Sequence, residues 1–143
     1  MSIFIKSLLI LSVMAIVCGC ASPPKTHKDF LKEEGVYVDR YRLARTREDA
    51  INIMRAYLER VDAYERGHAK GVRFNFCRAL AETRIAILYE ELGDQQQARA
   101  YMERALRHVH GDPFASNYDE AKLRAYVKYY DDRMSPAWRK NNG

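Results

Sequence analysis

The sequence predicts an all-α protein made of antiparallel helical hairpins, with about four main helices. Three observations lead there. Glycine (7) and proline (4) are scarce over 143 residues, whereas a β-sandwich or barrel needs a turn about every dozen residues. Apolar positions from residue 50 onward recur in steps of three and four, the period of one helix face. The links between these periodic stretches are short, which makes successive helices antiparallel neighbours. A hydrophobic content of 48%, with 10 Tyr and 5 Phe, belongs to a folded chain. The length suits one domain.

The N-terminus reads first as an export signal. One cation, Lys6, precedes an apolar run over residues 8–17 that only Ser12 interrupts. The run is about half of what a membrane-spanning helix needs, and it fits the apolar core of a secretory signal. It closes on Val17-Cys18-Gly19-Cys20-Ala21-Ser22. These residues resemble the bacterial lipobox: an aliphatic residue, a tolerant position, a small residue and the cysteine that receives lipid. The resemblance implies cleavage after Gly19, lipid on Cys20, and residues 1–19 as a removed signal peptide. Cys18 is the weaker candidate, because bulky Val17 precedes it. Small residues before the cysteine let the peptidase approach the backbone. Acyl chains then supply about 0.8 kcal/mol of membrane affinity per buried CH₂, so two or three chains hold firmly. Ala21, where inner-membrane lipoproteins carry Asp, implies an outer-membrane location in a two-membrane source. An ordinary signal peptide or an uncleaved anchor is the plainer alternative.

Residues 20–45 form the lead-in. Pro23-Pro24 among Ser, Thr and Lys predicts an extended tether over residues 21–28 that includes His27. Residues 29–34 suit a turn and a half of helix that Gly35 stops, and residues 36–38 are too few to classify. The helical domain spans residues 46–134. Thr46 caps a first helix with Glu48 and Asp49 at its positive end. Ala50, Met54, Tyr57, Val61 and Tyr64 are its buried face, and Gly67 and Gly71 mark its end. A second helix runs from about Val72 to Leu92, burying Cys77, Ala81, Ile85, Leu88 and Leu92. Its flanks are apolar too, so it is predicted to be the most buried element. After the tight Gly93-Asp94 turn, Asp94 and Gln97 have the spacing of a capping box. The third helix buries Ala98, Met102, Ala105 and Val109. Gly111-Asp112-Pro113 breaks the chain, and Ser116 or Asn117 starts a fourth helix with Leu123, Val127 and Tyr130 inward. Residues 135–143 read as a C-terminal tail with a frayed basic end, from which Trp138 folds back.

The hairpin at Gly93 resembles a tetratricopeptide repeat. The matching residues are Ile85, Ala86, Tyr89, Gly93, Ala98, Met102 in the usual aromatic place, and Ala105. Three alanines admit close helix approach and Tyr89 fills the space beside them. Glu82 stands where the family often has Trp, and His110 where it often has Pro. The resemblance covers one repeat of about thirty-four residues. It implies a partner-binding groove lined by Leu80, Thr83, Arg84, Ile87 and Glu91.

No motif points to catalysis, a cofactor or a metal. His108 and His110 lie two apart, so on a helix they point different ways, and they read as surface cations near a helix end. The chain has no metalloprotease His-Glu pair, phosphate-binding glycine loop or serine elbow. Asp131-Asp132 reads as a solvated pair, and the alternation of Arg55, Glu59 and Arg60 as a solvated face. Of three cysteines, only Cys77 would remain unmodified, and it reads as a buried, inert thiol. The net charge of +5 is dispersed, with no basic block of the kind that binds nucleic acid. The expectation is therefore a noncatalytic adaptor, tethered by lipid to the membrane, that binds another envelope protein. Lipoproteins of this build often assist assembly or secretion machines. The alternative is a structural lipoprotein whose basic surface holds anionic cell-wall polymer.

Overall fold

The computed structural model describes residues 26–67 and 74–140. It consists of α1 (His27–Leu43), α2 (Arg47–Gly67), α3 (Asn75–Glu91), α4 (Gln95–His110), α5 (Glu120–Met134) and the short α6 (Ala137–Lys140), with no strand among the described residues. The chain is all-helical, as expected, but six helices replace the four. None of those described is long and apolar enough to cross a membrane.

The first additional helix comes from the lead-in. Thr26 caps α1 by accepting from the Asp29 amide at 3.1 Å, so the tether ends before His27 instead of including it. Gly35 does not stop the helix. A mid-helix glycine costs about 0.5–1 kcal/mol, and tertiary contacts on both sides of it offset that. Phe30 packs 4.7 Å from Tyr64 and 4.5 Å from Phe74. Tyr37 meets Tyr57 at 5.7 Å, and Glu33 accepts from Arg60 Nη2 at 2.8 Å. Phe30, Tyr37 and Tyr41 are seven and four residues apart, one helical face, and Phe30 and Tyr41 are each 1% exposed.

End-to-end contacts show the antiparallel order. The start of α1 meets the end of α2 through Phe30 and Tyr64. The start of α2 meets the end of α3 through the Arg47–Glu91 ion pair at 2.5 Å. The start of α3 meets the end of α4, where Asn75 Nδ2 donates to the Gly111 carbonyl at 3.2 Å. α3 and α4 are the most extensively packed pair, and α3 also touches α2 and α5. Gly93, at φ +83, makes that hairpin turn. Only glycine takes this left-handed conformation without strain. Asp94 caps α4 by accepting from Gln97 N at 3.0 Å.

The predicted faces of α2 and α4 are buried as read. Ala50, Met54, Tyr57, Val61 and Tyr64 are in the core, as are Ala98, Met102, Ala105 and Val109. On α3 the core takes Ala81, Ile85 and Leu88, while Cys77 is half-buried and Leu92 is 40% exposed at the helix end. α5 starts later than expected, capped by Asp119, which accepts from Lys122 N at 2.8 Å. Its inward line is Leu123, Val127 and Asp131, not Tyr130, which is 42% exposed. That register moves the buried line one residue along and brings a carboxylate inside.

The second additional helix comes from the tail. Ser135, left-handed at φ 47, donates its amide to the Asp131 carbonyl at 3.0 Å and ends α5. Pro136 follows, and the chain turns so that Trp138, 1% exposed, packs edge-on to Tyr41 at 6.2 Å. Up to Lys140 the tail is folded.

Candidate interaction surface

Of the five groove residues implied along α3, one is buried, three are half-buried and one is exposed. Thr83 is fully buried and its hydroxyl donates to the Ala79 carbonyl at 2.7 Å, so it cannot face a partner. That corrects its place in the groove. Arg84 Nε donates to Asp131 Oδ1 at 2.9 Å. Glu91 is exposed but ion-paired to Arg47, and Ile87 is half-buried. Leu80 lines a cavity of about 70 Å³ with Tyr37, Tyr57, Cys77 and Met134. Arg84 thus lies against Tyr41 of α1 and Asp131 of α5. Gly19 and Cys20 lie outside the described residues.

The centre of this closure is a buried polar cluster. Asp131 is 2% exposed. It accepts from Tyr41 Oη at 2.6 Å and from Arg84 Nε, joining α1, α3 and α5. The Arg84 guanidinium also sits 5.6 Å from the Tyr41 ring centre. The solvated Asp131-Asp132 pair is therefore corrected. Asp131 is internal, and exposed Asp132 pairs with Arg139 and, at 2.6 Å, with Lys128. Of the solvated face read at Arg55, Glu59 and Arg60, Glu59 is exposed and the two arginines are corrected. Arg55 reaches Tyr101 Oη at 3.0 Å and Tyr89 Oη at 2.5 Å, tying α2 to the hairpin. Arg60 holds Glu33 of α1. Sequence periodicity marks these as polar positions and carries no sign of the long-range partner.

Further titratable groups are buried or half-buried. Glu82 is 5% exposed, with one carboxylate oxygen 3.5 Å from His108 Nε2 and the other without a hydrogen-bond partner among the described residues. Cys77 lines the small cavity, and burial raises its thiol above the ordinary value. A raised thiol is a poor nucleophile. Burial also holds the Tyr41 and Tyr57 phenols well above their ordinary 10.0, with the Asp131 and Glu34 carboxylates adding to it. The stability consequence has a definite sign. The folded values exceed the unfolded one, so this contribution is complete below pH 10 and is lost as pH rises beyond it. An alkaline absorbance titration followed alongside circular dichroism should show these phenols ionising only as the helices melt. Ionisation of every tyrosine at its ordinary value with helicity intact would contradict the burial.

Among the described residues, no cluster of three or more His, Cys, Asp and Glu side chains is placed to hold a metal. What the surface does present is a ladder of rings. Phe76 of α3 meets Tyr118 at 5.3 Å and Tyr126 at 5.4 Å, both edge-on. Tyr126 meets Tyr130 at 4.7 Å, and Tyr130 meets Tyr129 at 5.2 Å. The Arg133 guanidinium lies 3.4 Å from the Tyr129 ring centre. Tyr126 Oη donates to Tyr130 Oη at 3.4 Å, and that bond, then burial, pushes the Tyr126 phenol up to about 12. At the near end stands Phe114, 94% exposed. Its backbone is fixed, since the Phe114 and Ala115 amides donate to Asp112 Oδ1 at 2.8 and 3.2 Å. Two shallow depressions flank Tyr118, one beside Phe114 and one beside Lys122.

The ladder escapes sequence reasoning for a clear reason. Phe76 is distant in sequence from Tyr118 and Tyr126, and only the crossing of α5 over α3 aligns them. The one local signal is the pair Tyr126 and Tyr130, four residues apart on α5. Comparison with known proteins adds no candidate function: no protein family, no characterised protein and no solved structure matches this chain.

Proposed function

We propose that this chain is a noncatalytic adaptor of the bacterial envelope, held to the membrane by lipid on Cys20 and binding a protein partner through the ring ladder. The observation that carries the binding role is Phe114, held 94% exposed beside a depression that it shares with Phe76 and Tyr118 of the ladder. A phenylalanine this exposed gains nothing from folding, whereas aromatic rings that become buried on binding dominate interface energies. The membrane role is supported by the apolar run and the Val17–Cys20 signature. Ala21 favours the outer membrane in a two-membrane source.

A tetratricopeptide-like hairpin underlies the reading of the scaffold. Its support is that Ile85, Ala86, Ala98 and Ala105 are all buried between α3 and α4, with Tyr89 stacked on Tyr101 at 5.8 Å. The partner surface differs from the one that the repeat implies, because Thr83 is buried and Arg84 is engaged by Asp131 of α5.

A photoreactive residue placed at Phe114 or Tyr129 of the full chain tests the binding role. It should give one discrete protein adduct in the envelope, whereas the same probe at Ile87 gives none. Phe114→Ser, probed at Tyr129, should weaken capture by about 2 kcal/mol, as for an aromatic anchor. Equal capture at Ile87, or indifference to Phe114→Ser, would overturn the ladder as the docking face. Radiolabelled fatty acid on the chain, lost in Cys20→Ser, tests the tether.

A further inference from the structure

We propose that the outward half of α1 docks on an anionic phospholipid surface. The proposal rests on the membrane tether above and not on the protein-binding ladder. By composition α1 is electrically balanced, with Lys28, Lys32, Arg40 and Arg42 against Asp29, Glu33, Glu34 and Asp39. The structure turns two of the acids away from the outer surface. Glu33 accepts from Arg60 Nη2 at 2.8 Å, and Glu34 accepts from Tyr57 Oη at 2.8 Å, both toward α2. Asp29 accepts from the Thr26 hydroxyl at 2.7 Å within the cap. Only Asp39 remains exposed without such a partner among the described residues. The four cations are exposed and pair with no carboxylate among the described residues. The outward half of α1 thus carries Lys28, Lys32 and Arg42 against exposed Asp39, a modest positive balance in a helix that is neutral by composition.

The same surface is apolar where a soluble helix would not be. Of eight large hydrophobic residues exposed on the described surface, four belong to α1: Leu31 (50%), Val36 (48%), Val38 (40%) and Leu43 (66%). Leu31, Val36 and Leu43 share the outward half of the helix with Lys28, Lys32 and Arg42. Cations that meet phosphate groups around apolar residues that enter the headgroup boundary define an interfacial helix. A soluble polyanion would reward the charges and leave Leu43 in water, so the apolar residues favour lipid.

Chain length makes this docking reachable. Cys20 stands six residues before Thr26, and an extended chain covers about 3.3 Å per residue. The helix therefore starts within roughly 20 Å of the bilayer to which the tether holds it. Screening reduces the attraction over about 8 Å at physiological salt, so α1 must settle onto the surface to gain from it. The tether makes that step intramolecular, and a weak surface affinity is then enough to populate it. Each cation near an anionic leaflet contributes on the order of a fivefold gain in binding.

Lysine acetylation read by mass spectrometry tests this on the full chain. The chain is reconstituted into vesicles of phosphatidylcholine alone or of phosphatidylcholine with phosphatidylglycerol. Lys28 and Lys32 should be acetylated at least about fivefold more slowly in the anionic vesicles, the gain expected from one cation. Lys122 and Lys128 on α5 should keep their own rates in both. Arg42→Ser with Leu43→Ser, which spares every lysine, should return Lys28 and Lys32 toward their neutral-vesicle rates. Equal rates for Lys28 and Lys32 in the two compositions would overturn the proposal. So would slowing of all four lysines together, or protection by a soluble polyanion equal to that by vesicles. Flotation with neutral vesicles reports the tether separately. A chain that floats yet shows no protection loses the docking and keeps the tether; a chain that does not float loses both.

Discussion

Asp131→Ala is expected to destabilise the fold by about 3 kcal/mol or more, the cost of removing one partner from a buried ion pair. The carboxylate is 2% exposed and accepts from both Tyr41 Oη and Arg84 Nε. Its removal leaves the Arg84 guanidinium, itself largely buried, without its counter-charge, and the Tyr41 hydroxyl without an acceptor. Domains of this size are stable by about 5–15 kcal/mol in total, so the loss is a large fraction. Urea unfolding at neutral pH measures it. Tyr41→Phe removes one neutral donor to a charged acceptor and should cost less, about 1.5–3 kcal/mol. Because the two share a network, the double variant should fall short of the sum of the singles. A change below 0.5 kcal/mol for Asp131→Ala, roughly the limit for surface positions, would mean that the cluster is open to water and that α1 is not locked to α5.

Trp138→Ala should cost about 3–5 kcal/mol, the range for removing a fully buried large aromatic. Trp138 is 1% exposed in a segment that contains only four helical residues. Nothing in α6 is stable alone, since isolated helices shorter than about 12 residues are marginal in water. Its order depends on the indole against Tyr41 and on Arg47 and Arg139, which lie 5.7 and 5.2 Å from the ring centre. The same urea measurement applies. Truncation after Ser135 should destabilise by a similar amount, because it removes the same ring. If both variants unfold like the parent, the C-terminal segment is not part of the core.

Local chemistry explains which elements are legible in advance. Thr46 and Asp94 cap helices because their short side chains satisfy amides at helix starts, and Asp49 N donates to Thr46 Oγ1 at 3.1 Å. The stripes on α2 and α4 are legible because those helices each bury one continuous face. α1 is not, because its polar appearance hides two acids that serve as ligands for α2. Gly35 reads as a stop when considered alone, and the rings at positions 30, 37 and 41 outweigh it only through contacts on α2, α3 and α6. The candidate surface is less legible still. Cys20 rests on a contiguous signature, whereas the ring ladder depends on α5 crossing α3.

By itself, the sequence determines that the chain is helical, where α2 and α4 are capped, where the turn between α3 and α4 falls, and which residues of α2 and α4 face inward. All of these follow from interactions within a few residues, whose geometry the backbone dictates. Tertiary structure alone decides that α1 continues through Gly35, that the tail returns with Trp138, and that Asp131 is internal. It also decides that Thr83 is buried while rings from α3 and α5 form a surface elsewhere. Each of those outcomes depends on a partner tens of residues away, and charge or polarity at one position carries no record of the group it will meet.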